Sequence, residues 1–86
     1  MARMTKTEQT IAEVRPYLRK LANRRSSKTF TSDDIHAFLN KRNFRGNRLS
    51  VISTVLQDSL FYNTGNQVPS DRPVARSRKI YEYSVN

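Results

Sequence analysis

Residues 45–63 read RGNRLSVISTVLQDSLFYN, and the interpretation of this stretch decides that of the whole chain. Its middle has helical spacing from about residue 47 to 59. Projected at about 100° per residue, Leu49, Ile52, Val55, Leu56 and Leu60 fall on one side, with Val51 at the margin of that arc. Ser50, Ser53, Thr54 and Gln57 fall together on the other side, and none of them is charged. A helix face that needs only solvation is usually built from Glu, Lys and Arg, which favour helix. Ser, Thr and Asn are weaker helix formers because their side chains compete for the backbone, so this face calls for a reason beyond solubility.

Upstream, the sequence predicts a second helix over about residues 32–42. Thr31 stands as N-cap with Asp34 three places on, Phe30 is placed to staple onto Ile35, and Ile35, Phe38 and Leu39 form its apolar side. The segment NKRNFRGN then supplies Asn and Gly for a tight turn. Earlier still, Thr5 with Glu8 is a capping box, and Ile11, Val14, Leu18, Leu21 and Ala22 continue a helix from about residue 6 to 23. Pro16 lies inside it and predicts a kink or break near residues 13–15. Downstream, LFY is β-prone, NTGNQVPSDRPVARSR is rich in breakers and cations, and KIYEYSV alternates with Tyr81, Tyr83 and Val85 on one face. The expectation is a hairpin with a long basic loop over about residues 63–78.

The chain has 86 residues and no cysteine, and reads as one domain, with a core over about residues 5–85. Absence of cysteine excludes disulfides, thiolate chemistry and finger-type zinc sites. His36 is the lone histidine, and no motif sets a nucleophile or acid to work with it, so no enzyme, metal or cofactor is expected. No apolar run is long enough to span a bilayer and no small-molecule site is evident. The expected setting is cytoplasmic and nucleoid-associated, or nuclear in a eukaryote.

Sixteen Lys and Arg against seven Asp and Glu give a formal net charge of +9, which implies a polyanionic partner. The cations cluster. Arg15, Arg19, Lys20, Arg24, Arg25 and Lys28 form one stretch; Lys41, Arg42, Arg45 and Arg48 a second; Arg72, Arg76, Arg78 and Lys79 a third. The first stretch reads equally as the solvated back of a helix or as a distant contributor to the field.

Taken in order, the capped helix in TFTSDDIHAFLNKRNF, the turn and helix in RGNRLSVISTVLQDSLF, and the terminal RKIYEYSV after a basic loop resemble the winged-helix form of the helix-turn-helix. The resemblance implies an α+β fold: a three-helix core, a short strand and a C-terminal two-stranded wing. It also implies that the third helix enters the major groove of double-stranded DNA while the wing meets the backbone or minor groove.

The residues agree with that implication. Short hydroxyl and amide groups let a helix approach base edges, so Asn47, Ser50, Ser53, Thr54 and Gln57 are the expected base readers. Lys28, Arg45, Arg48, Arg72, Arg76, Arg78 and Lys79 are the expected phosphate contacts. The expected protein is a small sequence-specific DNA-binding regulator of transcription. Two other readings stay open: a winged-helix docking module whose basic surface meets an acidic protein, and an RNA or single-strand binder using the basic linker and exposed tyrosines. Separately, the face of Ser50, Ser53, Thr54 and Gln57 has the alternative of packing against another helix in a homodimer, and Tyr62, Tyr81 and Tyr83 read first as core or sheet residues and only second as stacking platforms.

Overall fold

The computed structural model describes residues 5–70 and 78–86, and its first helix, α1 (Lys6–Arg24), begins where the sequence supplies a cap. The Glu8 N–H donates to Thr5 Oγ1 at 3.1 Å, satisfying an amide that the first turn leaves free. The helix runs unbroken across Pro16, so of the two outcomes expected there, a kink or a break, the break does not occur. Its core stripe of Val14, Leu18 and Ala22 is carried on both sides of the proline, and burial of that stripe outweighs the one lost hydrogen bond.

A short connection leads to β1 (Thr29–Phe30) and then α2 (Ser32–Lys41). The Thr31 N–H donates to Asp34 Oδ2 at 2.8 Å, the reciprocal half of a capping box. Phe30 and Ile35 are both fully buried in one cluster, as a staple across the cap requires. The tight turn that follows uses Asn43 at φ 52° for its left-handed residue. Gly46 has a different role: a Cβ there would meet the Phe44 ring at 2.6 Å, so the glycine lets that half-buried ring fold over the backbone.

The third helix, α3 (Arg48–Leu56), is capped by Asn47, whose Oδ1 accepts the Ser50 N–H at 3.1 Å. It stops three residues before the expected residue 59. The Asp58 N–H turns back to the Val55 carbonyl at 3.1 Å and Asp58 Oδ1 takes the Leu60 N–H at 2.9 Å, so the aspartate closes a turn where the spacing suggested another helical one. The buried face also differs from the projection. Val51, placed at the margin, is fully buried with Val55, whereas Leu49, placed in the apolar arc, is 75% exposed.

Among the described residues the sheet has three antiparallel strands in the order β1-β3-β2, with β2 (Phe61–Pro69) and β3 (Lys79–Val85). Thr29 pairs with Ser84 and Phe30 with Tyr83, which ties the short strand to the hairpin. The expected loop over residues 63–78 is corrected here, because β2 continues to Pro69. The breakers Asn63, Thr64, Gly65 and Asn66 form a bulge within the ladder, where register shifts between Asn63 and Gln67. Gly65 adopts φ 87°, Asn63 Oδ1 accepts its N–H at 2.8 Å, and Thr64 Oγ1 donates to the Glu82 carbonyl at 3.0 Å. Beyond the bulge, pairing resumes from Gln67 with Tyr81 to Pro69 with Lys79, and the Ser70 N–H reaches the Arg78 carbonyl at 3.0 Å.

The core lies between the helices and one face of this sheet. Phe30 packs edge-on against Phe61 with centroids 5.0 Å apart and stacks with Tyr83 at 6.0 Å. Tyr17 meets Phe38 at 4.8 Å, joining α1 to α2, so Tyr17 and Tyr83 serve packing while Tyr62 and Tyr81 remain about half exposed. No helix among the described residues is long and apolar enough to cross a membrane.

Candidate nucleic-acid interface

Three of the cations that the sequence groups into basic stretches are neutralised by folding. Arg25 makes a bidentate pair with Asp34, at 2.8 and 3.0 Å, and also donates to the Thr29 carbonyl at 3.2 Å. The hydrogen bonds to Asp34, and then its nearby charge, hold the guanidinium above its ordinary pKa against the opposing effect of burial. Arg15 Nε lies 2.7 Å from Asp58 Oδ2, pinning α1 to the end of α3. Arg42 pairs with Glu13 and lies 4.8 Å over the Phe38 ring, pinning α2 to α1. Acids distant in sequence thus sort the basic residues into structural and uncommitted ones, a division that charge runs alone cannot reveal.

Lys28, an expected phosphate contact, is exposed and pairs with no described acid, but it too makes contacts within the fold. It sits at φ 58°, its Nζ donates to the Asn23 carbonyl at 2.7 Å, and its own carbonyl accepts Ser84 Oγ at 2.8 Å. The ammonium therefore caps the end of α1, where a cation also complements the helix dipole.

Among the described residues, Arg45, Arg48, Arg78 and Lys79 make no ion pair. Arg45 and Arg48 flank the start of α3. That helix has no acid in its first turn, unlike α1 with Glu8 and α2 with Asp33 and Asp34, so its positive end is left uncompensated. Arg45 also lines an open hollow of about 400 Å³ with Lys6, Arg42, Phe44 and Gly46. Lys6 was missed in reading the sequence. Its signal was present, because a lysine at the first position of a helix opposes the dipole. Arg78 and Lys79 are exposed at the start of β3, while Arg72 and Arg76 lie outside the described residues.

The five expected base readers are all exposed. Ser50, Ser53 and Gln57 occupy the outward face of α3, opposite Val51, Ile52 and Val55. Gln57 Nε2 donates to Ser53 Oγ at 3.3 Å, a long contact that leaves the amide oxygen uncommitted. Thr54 stands on the flank toward α1, lining a hollow with Glu8, Ile11, Ala12 and Arg15, so it is set aside from the other three. Asn47 spends its side-chain oxygen on the cap and presents only its amide nitrogen. Leu49 shares the exposed surface with Ser50 and Ser53, a placement the apolar projection did not anticipate.

The chain matches no protein-family model, no curated protein and no solved structure.

Proposed function

We propose that this protein binds double-stranded DNA with sequence preference, α3 entering the major groove as a reading helix and the β2–β3 hairpin resting on the backbone or minor groove as a wing. In this reading the protein is a winged helix and regulates transcription by occupying its site. The observation that carries it is the outward face of α3: exposed, uncharged, made of Ser50, Ser53 and Gln57, and approached at its start by Arg45 and Arg48, which no described acid neutralises. Hydroxyls and amides exchange hydrogen bonds with base edges, and the arginines meet the phosphates on either side. The element order, with a short strand after α1 and a hairpin after α3, matches the winged-helix pattern and supports the same reading.

Selection of bound duplexes from a random pool tests it. A consensus is the expected outcome, and Gln57→Ala should relax it at a defined position while Arg45→Ala weakens binding to all sequences alike. Recovery of no consensus, or equal loss on selected and random duplexes for both substitutions, refutes readout by α3.

A further inference from the structure

Leu49 is the largest apolar side chain left open by the helices: 75% exposed, and neither in the core cluster nor among the half-buried side chains packed against it. A leucine that contributes nothing to the monomer core, at the start of a helix whose outward side is otherwise Ser50, Ser53 and Gln57, needs its own explanation. Resting on the DNA-reading role proposed above, we infer that Leu49 reads the C5-methyl group of a thymine in the major groove, and so selects T·A or A·T at one position of the bound site.

The surroundings of the leucine favour this ligand over a protein. One helical turn on stands Ser53 and next in sequence stands Ser50, both polar, while Leu56, two turns on, is packed against the core. Along its own helix Leu49 is therefore a single apolar point and not the start of a stripe, whereas protein partners bury hundreds of Å² of contiguous surface. A thymine methyl is the matching object. It is the one apolar group that any base presents in the major groove, and it lies beside the O4 acceptor and the adenine amino donor. Serine hydroxyls can serve those groups in either direction, because a hydroxyl both donates and accepts. The hydroxymethyl groups are short, which lets the helix approach, and the longer leucine then reaches the methyl from the same face. Arg45 and Arg48 supply the phosphate contacts that hold such an approach in register.

The experiment replaces each thymine of the selected duplex, one at a time, by deoxyuracil, which keeps every pairing and hydrogen-bonding group and lacks only the methyl. The wild-type protein is expected to lose about fourfold in affinity at one thymine, the worth of one methyl group removed from water. Leu49→Ala should bind the thymine duplex more weakly and show no further loss at that uracil, and Leu49→Met should restore the discrimination. The side chain is exposed, so both variants fold. A wild-type protein with a clear consensus but no response to any single uracil overturns the inference and leaves the DNA-binding reading intact, as does Leu49→Ala that keeps the full response. If Leu49→Ala loses affinity equally on every duplex and its sedimentation shows fewer protein copies bound, the leucine serves a protein contact and the inference fails. If the wild-type protein yields no consensus at all, the underlying reading fails first.

Discussion

The side chain of Arg25 shows how one residue can leave the ligand-binding inventory and enter the framework. It bonds Asp34, which caps α2, and the carbonyl of Thr29 in β1, so it joins the end of α1 to both following elements. Arg25→Ala should lower stability by about 1 kcal/mol, a figure kept small because the guanidinium is 40% exposed and screened by solvent. That corresponds to a fall of roughly 4–8 °C in thermal midpoint by circular dichroism. Arg25→Lys should recover little, because an ammonium cannot make the planar two-bond pair. The pH dependence has a fixed sign. A pKa raised on folding contributes stability that is complete below the unfolded value and disappears only as pH climbs through the folded one, so the arginine itself should add no pH dependence near neutrality and should lose its contribution only in strong alkali. Asn47 poses the opposite question, since its cap alone accounts for its side-chain oxygen. Asn47→Ala should cost about 1 kcal/mol, whereas Asn47→Ser retains the cap. If Asn47→Ser keeps stability in denaturant titrations while changing the selected consensus, the amide nitrogen reads DNA as well.

At the level of elements, α3 divides its work between two faces, and stability measurements should resolve them. Val51→Ala should destabilise by about 2 kcal/mol, from two methyl groups lost and a small void left, while Leu49→Ala should lie within about 0.5 kcal/mol of wild type. Urea unfolding of the pair checks the assignment; an equal loss would place Leu49 in the core. The helices were largely legible from sequence, because α1 and α2 carry local caps whose chemistry works within four residues: Thr5 with Glu8, and Thr31 with Asp34. What escaped the sequence depended on partners far along the chain. Which side of α3 is buried is set by α1 and α2, not by its own apolar sum, so a projection weighted by Leu49 and Leu60 turned toward the wrong flank. The extent of β2 was hidden because Gly65 and its polar neighbours read as a loop, when cross-strand pairing to β3 keeps them as a bulge inside the ladder. The outward face of Ser50, Ser53 and Gln57 was legible because it depended only on periodicity and residue type. The sorting of arginines was not, since Asp58 and Glu13 reach Arg15 and Arg42 only after folding.

For the molecule as a whole, that sorting makes the proposed binding electrostatics separable. On the DNA-binding reading, Arg45→Ala and Arg78→Ala should each reduce the slope of log affinity against log salt by about one unit, one phosphate contact apiece. Arg15→Ala and Arg42→Ala remove the same formal charge from positions already paired with acids, and should leave the slope unchanged while lowering thermal stability. Fluorescence anisotropy over a range of potassium chloride measures all four, and equal slopes would mean that the net charge of +9 acts only as a diffuse field. The strand order has a temporal consequence of its own. The middle strand is the last made, and its Ser84 hydroxyl reaches back to the Lys28 carbonyl, 56 positions earlier. At translation speeds of about 5–20 residues per second, roughly 3–11 s separate the emergence of the two ends of that contact from the ribosome. Throughout that interval Phe30 has been synthesised but its strand partner Tyr83 has not, so a nascent chain stalled there leaves open the aromatic face that Tyr83 will cover, within reach of whatever chaperone waits at the exit tunnel.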